Sequence, residues 1–231
     1  MGVGSQRWSR ISRALVSGHP AAAGLCSACV ETLAVSGAGV TLMAGAGAQV
    51  SMCASDSTVR RLAELEFTLG TGPAVDAHDR GVPVLEVDLV GRPPTGWTAF
   101  TAPAVDAGIR AIFAFPLRLG AARLGALTLY QDHPGALGND TYADALTAAE
   151  VITRTVRTRQ AGIPEEALLA ELTDDRALHA EVHQASGMVS VQLGVGVGDA
   201  LARLRARAFA LDRSIREVAG DVVARRLRFD E

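Results

Sequence analysis

The sequence contains no lysine, so all 22 basic residues are arginine. This absence excludes two classes of enzyme. A nucleotide-binding loop of the G-x-x-x-x-G-K-[ST] type needs a lysine that reaches the β- and γ-phosphates, and a pyridoxal enzyme needs a lysine that forms a Schiff base. Neither kind of site is available to this chain.

Long hydrophobic runs are also missing. A helix that crosses a bilayer needs roughly 20 consecutive apolar residues, and no run in this chain approaches that length. The first ten residues, MGVGSQRWSR, lead into a mixed amphipathic stretch and not into the apolar core of a secretion signal. We therefore expect a cytoplasmic protein without a membrane partner. Its 48% hydrophobic and 20% charged residues indicate a folded chain.

Cysteine is scarce. The chain has three cysteines: Cys26, Cys29 and Cys53. They are too few for a disulfide framework, and an odd number cannot all be paired. Cys26 and Cys29 have the C-x-x-C spacing of redox and metal sites, but they stand in a helical apolar pattern without a second pair of ligands. We expect three inert, buried cysteines, no metal and no cofactor.

The length of 231 residues predicts two modest domains, because a domain typically has roughly 100–200 residues. Residues 1–160 show β-rich segments between helical patterns, without the regular alternation of a parallel α/β fold. We predict an α+β domain in which helices flank an antiparallel sheet. Residues 165–231 contain three amphipathic helical patterns and predict an all-α bundle. The segment with Asp76, His78 and Asp79 is interpreted as a surface turn.

A long helix is predicted from Asn139 to about Gln160. Its apolar positions recur at intervals of three and four residues: Tyr142, Ala145, Ala149, Ile152 and Val156. Such a seam is typical of helices that pair between subunits, and it also suits a helix that packs on the sheet of its own chain. Both interpretations stay open here, and the first predicts a homodimer.

Three glycines stand at alternate positions in LGVGVGDALARLRARA, which begins at Leu193. A dinucleotide-binding fingerprint, G-x-G-x-x-G, would need its third glycine where Asp199 stands, and it would follow a strand rather than an amphipathic helix. A carboxylate at that position would repel phosphate but suits the start of a helix. The glycines therefore predict the end of one helix and a tight bend before the next.

Basic charge is concentrated near the end of this weakly acidic chain. From Asp199 to Arg228 there are eight arginines and four acidic residues, a net charge of +4, against −3 for the whole chain. On the predicted helix, Arg203 and Arg207 flank one side of the apolar stripe and Arg205 flanks the other. This arrangement suits pairing of arginine with nucleic-acid phosphates, and it also suits a solvated helical face.

One set of residues follows a known signature in order and spacing: Ala185-Ser186-Gly187-Met188, Asp199-Ala200, Leu204-Arg205, Ala208 and Val218-Ala219. Through them, residues 165–231 resemble an ANTAR domain, the three-helix RNA-binding module of bacterial transcription antiterminators. The resemblance implies structural roles for Ala185, Ala200, Leu204, Ala208 and Ala219. It also implies base contacts by Ser186 and Gly187, and with the charge pattern it makes Arg203, Arg205 and Arg207 the expected phosphate contacts.

A second resemblance rests on LGTGPAVDAHDRGVPVLEVDL from Leu69 to Leu89, on Trp97 and Phe100, and on FPLRLGAARLGALTLY, which begins at Phe115. Residues of about 20 to 160 resemble a GAF domain of the kind fused to ANTAR domains in actinobacteria. The resemblance implies a six-stranded antiparallel sheet flanked by helices. It also implies a pocket for an unknown small ligand on one face of the sheet.

The combined prediction is a cytoplasmic homodimeric regulator that is not an enzyme. Its GAF-like domain senses a signal, and its ANTAR-like bundle binds an RNA hairpin that competes with a transcription terminator. The chain departs from the ANTAR pattern at Ser186, where the family usually has lysine, and at Leu201, where it usually has an aromatic residue. These departures favour an alternative, a GAF-like dimer that serves protein interaction and whose bundle has weak or no RNA binding.

A third hypothesis is catalysis by acids or histidines of the first domain, such as Asp76, His78 and Asp79. No serine or cysteine nucleophile accompanies them at a recognisable spacing. A surface turn therefore explains this segment better than an active site does.

Overall fold

The structure is a computed structural model that describes residues 3–16, 22–44, 48–162 and 173–229. Helices and strands alternate irregularly in the N-terminal domain, as predicted for an α+β fold. The elements are α1 Val3–Val16, α2 Ala22–Leu33, β1 Gly37–Ala44, β2 Ala48–Ala54, α3 Ser57–Leu69, α4 Pro73–Arg80, β3 Val84–Glu86, α5 Thr98–Asp106, β4 Ala111–Leu119, β5 Ala122–Gln131 and α6 Asn139–Gly162.

The described strands form one antiparallel sheet of five strands in the order β2-β1-β5-β4-β3. The expectation of six strands is therefore corrected. After β3 the chain turns, because the Asp88 carboxylate accepts hydrogen bonds from the backbone amides of Val90 and Gly91. Pro93 and Pro94 follow and lack the amide hydrogens that a further strand would need. The β-rich stretch at 82–87 thus supplies one short strand.

Both faces of the sheet are buried, because successive side chains of a strand point to opposite sides. On β4, Phe113 and Phe115 belong to the core formed with α1, α2 and α6. The alternate residues Ile112 and Ala114 belong to a second core with α3, α4 and α5, in which Phe100 is fully buried. The N-terminal domain is therefore a three-layer arrangement of helices, sheet and helices.

The long helix α6 packs on its own domain. Ala145, Ala149, Ile152 and Val156 are buried in the core that α6 forms with α1 and the sheet, and Tyr142 packs against the ring of Phe115. The seam that could have paired two subunits is thus covered within the chain. A homodimer stays a prediction, and it would need another surface.

The C-terminal residues form a bundle of α7 Thr173–Leu193, α8 Val197–Ala210 and α9 Ile215–Val223. The glycine-rich bend is confirmed: α7 ends before Gly194, whose φ of 63° is in the left-handed region, and Gly196 caps α8 without a side-chain bond. The predicted capping box at the start of α9 is also present between Ser214 and Glu217. The predicted boundary near residue 165 lies outside the described residues.

Small and apolar side chains close the bundle. The five positions for which the sequence predicts structural roles are at most 2% exposed: Ala185, Ala200, Leu204, Ala208 and Ala219. They share one core with residues of all three helices and with Phe67 of α3. The bundle is therefore closed against the N-terminal domain on one side. Among the described helices, none is both long enough and apolar enough to cross a membrane.

Two sequence interpretations need correction. Cys26 of α2 and Cys53 of β2 form a disulfide with their Cα atoms 5.9 Å apart, so only Cys29 is a free, buried thiol. The pairing joins residues 27 positions apart and depends on how α2 packs on the sheet, which the spacing of cysteines does not show.

Asp76, His78 and Asp79 lie on helix α4 and not in a turn, because Pro73 begins a helix after Gly72.

Candidate nucleic-acid interface

An open groove on the C-terminal bundle is lined by basic side chains. Arg203 and Arg207 of α8 and Arg228 near the end of the chain border it, together with Phe229 and Leu193. The three arginines are exposed, and none of them forms an ion pair with another described residue. Their guanidinium groups are therefore free to pair with an external anion.

The segment after α9 folds back to build this groove. The backbone amide of Phe229 donates a hydrogen bond to the Gln192 side-chain oxygen of α7 at 3.0 Å. Leu227 and Phe229 are partly buried against the bundle core, which holds the intervening Arg228 next to α8. Arg228 and Phe229 were not among the predicted site residues, although the alternation of apolar and basic residues after α9 was a signal for such a site.

Two further arginines are occupied within the bundle. Arg213 and Arg226 each contact a carboxylate oxygen of Asp221 at 2.8 Å. Hydrogen bonds from these two guanidinium groups are the main reason that the pKa of Asp221 lies below its ordinary value. This part of the basic charge is thus neutralised locally and contributes less to binding an anion.

Arg205 makes a different contact, because it reaches the N-terminal domain. Its Nε and Nη2 atoms donate hydrogen bonds to the backbone oxygen of Phe67 at 2.9 and 2.7 Å. Phe67 lies in the last turn of α3, where the helix dipole is negative. The guanidinium group of a bundle helix therefore caps the carboxyl end of α3.

Aromatic rings surround this cap, which is part-buried. The Phe67 side chain is 2% exposed, lies in the bundle core and meets the ring of His183 edge-on at 6.1 Å between centroids. Arg205 also stands over the Phe67 ring, 5.6 Å from its centroid. Burial lowers the pKa of Arg205, and burial together with the charge of Arg205 lowers the pKa of His183. Arginine nevertheless keeps its charge because its ordinary pKa is so high.

The five predicted RNA contacts do not form one surface. Arg203 and Arg207 lie together in the open groove, whereas Arg205 lies on the other side of α8 and is held by Phe67. Ser186 is fully buried, and its hydroxyl donates to the Val182 oxygen at 2.8 Å. The prediction that Ser186 contacts a base is therefore corrected for this arrangement, because a small residue that faces the bundle core cannot reach a ligand. Gly187 is half-buried and borders open space.

A buried carboxyl group stands beside the Arg205 cap. Glu66 is 3% exposed, and its Oε1 atom accepts a hydrogen bond from the backbone amide of Ala74 at 2.7 Å. Burial raises the pKa of Glu66 to about 8, the amide of Ala74 opposes this rise, and the charge of Asp76 adds to it. Glu66 recurs four residues after the buried Leu62, so the helical spacing of α3 was a signal for a buried acid.

The acids and histidine of α4 do not converge on a reaction centre. Asp76 accepts a hydrogen bond from the Trp97 indole at 3.2 Å and pairs with Arg80 at 2.8 Å. The backbone oxygen of Asp79 accepts from Arg123. Among the described residues, no three acidic, histidine or cysteine side chains could hold a metal ion together. These contacts give Asp76 and Asp79 structural roles.

No protein-family model and no curated protein matches the sequence. Among solved structures, the GAF domain of a phosphoenolpyruvate-protein phosphotransferase from Acinetobacter is similar, with 10% identity, a TM-score of 0.54 and coverage of 71% of this chain and 99% of that chain. The corresponding domain from Coxiella burnetii has 14% identity, a TM-score of 0.54 and coverage of 68% and 95%.

A phycocyanobilin-bound GAF domain from a cyanobacterial phytochrome is also similar, with 10% identity, a TM-score of 0.50 and coverage of 71% of this chain and 100% of that chain. At these identities the likeness concerns the fold alone. The N-terminal domain therefore has a GAF fold, as its sequence predicted, and the comparisons leave the ANTAR resemblance of the bundle untested.

We expect Glu66→Gln to change how stability depends on pH. The native protein keeps the Glu66 proton between the ordinary pKa of 4.5 and the raised pKa of about 8, whereas the unfolded chain loses it. The free energy of unfolding therefore decreases as pH rises through this range, and the neutral glutamine removes that loss. Urea unfolding at pH 5, 7 and 8.5 should show a stability gain of the variant that grows with pH.

The control for this measurement is Glu64→Gln, which changes the same residue type on the same helix at a position that is not buried. Its profile should run parallel to that of the wild-type chain. A Glu66→Gln profile that is also parallel would contradict a buried, protonated carboxyl group.

We expect Arg205→Ala to destabilise the chain by about 1.5–3 kcal/mol, because the Phe67 oxygen would lose two hydrogen bonds from a charged donor. Arg216→Ala, at an exposed arginine of α9 without a described ion pair, should change stability by less than about 0.5 kcal/mol. Chemical denaturation of both variants measures the difference. Equal effects would show that Arg205 does not cap α3 in solution.

Proposed function

We propose that this chain is a signal-responsive RNA-binding regulator of transcription antitermination. The observation that supports it is the groove bordered by Arg203, Arg207 and Arg228, three exposed arginines without a described ion pair next to the aromatic ring of Phe229. Guanidinium forks pair with phosphate oxygens, and an aromatic ring offers a face on which an unstacked base can lie.

A folded RNA suits this groove better than a long duplex. The basic surface is short and formed by one helix and the end of the chain, and it offers few groups for reading a regular groove. Single-stranded loops present bases that can leave the stack, so a hairpin provides both phosphates and accessible bases. The resemblance of residues 185–219 to the ANTAR signature supports the same ligand and suggests a hairpin in a transcript leader that competes with a terminator.

The N-terminal domain supplies the sensing part of the proposal. One of the similar GAF domains is described as phycocyanobilin-bound, which supports a small ligand as a possible signal for a domain of this fold. In this chain the ligand is unidentified. A signal must bind two arrangements of the protein with different affinities, because only such a difference shifts their populations.

Making and breaking the contact between Arg205 and Phe67 would give two such arrangements. In the docked form the bundle lies against α3, and Arg205 is not available to RNA. When the bundle leaves α3, the same guanidinium becomes an additional phosphate contact on α8. RNA and the α3 cap would then compete for Arg205, and a ligand that weakens docking would raise RNA affinity. In this function the protein acts in the cytoplasm as a homodimer. It makes and breaks no covalent bond.

A second candidate function is a GAF-like dimer whose bundle binds another protein and little or no RNA. Two of the predicted RNA contacts favour it, since Ser186 is buried and Arg205 is held by Phe67. Leu201, the second departure from the ANTAR pattern, is 1% exposed and fills the bundle core. Sequencing of the transcripts that copurify with the full chain separates the two candidates, because the second predicts no enriched hairpin.

We expect Arg203→Ala and Arg207→Ala to weaken binding of the enriched hairpin RNA and to reduce its salt dependence. Each lost phosphate contact should lower the slope of log affinity against log salt by about 0.7 to 1. Filter binding over a salt series measures both effects. Arg216→Ala, outside the groove, is the matched control and should leave the slope unchanged. Unchanged slopes in the groove variants would refute the proposed interface.

A further inference from the structure

The C-x-x-C sequence motif takes part in a bond that the proposed function does not use. Cys26 of α2 is bonded to Cys53 of β2, and Cys29, one helical turn after Cys26, keeps a free thiol. All three side chains lie in the core shared by α1, α2, α6 and the sheet. This core contains more than twenty buried side chains and does not need a covalent crosslink in the way a small domain with little core does.

The bond lies at the edge of the sheet. β2 is the first strand in the sheet order and pairs only with β1 among the described strands. The disulfide therefore provides the covalent attachment of this edge strand to α2. On β2, Cys53 is 7% exposed, whereas Cys26 and Cys29 are fully buried. Cys53 is thus the less buried of the two bonded cysteines, and we take its sulfur as the point of attack.

The edge strand also contacts the C-terminal bundle. Helix α7 lies against β2, and the same helix contributes His183, which meets Phe67 beside the Arg205 cap. β2 is therefore positioned between the disulfide to α2 and the docked bundle. A change in how firmly β2 is held would therefore act on a contact between the bundle and the N-terminal domain.

We propose that Cys26 and Cys53 are a reversible redox couple that reacts with a dithiol and that their oxidised form holds β2 in the position on which α7 docks. A thiolate of the dithiol attacks Sγ of Cys53, the bond to Cys26 breaks, and Cys26 takes a proton as it leaves. The second thiol of the dithiol then attacks the dithiol sulfur that is bonded to Cys53. This step closes the disulfide of the reagent and releases Cys53 as a thiol. The protein gains two electrons and two protons, and the dithiol becomes a disulfide.

Cys29 does not take part in this exchange. Burial raises the pKa of its thiol to about 12, so it has almost no thiolate to attack the neighbouring bond. The free cysteine therefore serves as an internal reference. It should remain a thiol at every redox state of the couple.

The experiment uses the full chain, folded and without denaturant, in buffers with a series of ratios of reduced to oxidised dithiothreitol. Samples are quenched with acid, unfolded, labelled with N-ethylmaleimide and digested for mass spectrometry. We expect label on Cys26 and Cys53 to appear together in one two-electron transition, with label on Cys29 in every sample. Circular dichroism shows that the chain stays folded across the series.

If the dithiol reduces the bond between Cys26 and Cys53 only when denaturant is present, the proposal is overturned, because the crosslink is then permanent in the folded chain. A bond between Cys26 and Cys29 would overturn it as well. Cys29→Ser is the matched variant and should leave the transition midpoint unchanged.

Hydrogen exchange of the same samples tests the link to docking. Reduction should accelerate amide exchange at least several-fold in β2 and in the part of α7 around His183, while α5, on the opposite face of the sheet, stays unchanged. Exchange in α7 that does not respond to reduction would overturn the link. None of these measurements involves RNA, so their outcome is independent of the proposed function.

Discussion

One guanidinium group fixes a polar contact between the bundle and the N-terminal domain. Arg205 of α8 donates two hydrogen bonds to the Phe67 oxygen in the last turn of α3, and its charge faces the negative end of that helix. The contact is part-buried and is framed by the rings of Phe67 and His183.

This cap lies next to two other features of the structure. The residue before Phe67 is the buried Glu66, so the α3 turn that receives the guanidinium also contains a carboxyl group whose pKa is raised by burial. The helix that carries Arg205 carries Arg203 and Arg207 on its opposite flank, so in the docked arrangement only these two arginines border the open groove. Under the proposed competition, RNA reaches Arg205 as well once the bundle leaves α3.

Local features of the fold could be predicted from the sequence because their causes lie within a few residues. The bend at Gly194 follows from left-handed backbone, the box of Ser214 and Glu217 from reciprocal capping, and the burial of Ile152 from helical spacing. Arg203 and Arg207 were placed correctly on one flank of α8 for the same reason.

Contacts between distant segments could not be predicted. Arg205 binds a backbone oxygen 138 residues away, and main-chain acceptors have no residue-type signature. The pairing of Cys26 with Cys53 depends on helix packing over the sheet. Ser186 is small and polar, a character that fits a ligand contact as well as a buried hydroxyl that bonds to Val182. In each case the tertiary arrangement decides between alternatives that are locally equal.

The most direct test of the account is hydrogen exchange of the wild-type chain with and without its enriched hairpin RNA. If RNA and α3 compete for Arg205, binding must separate the bundle from α3. Amides in the last turn of α3 and in α7 around His183 should then exchange faster in the complex, while α8 becomes protected. Unchanged or slower exchange in the last turn of α3 in the complex would contradict the competition on which the account depends.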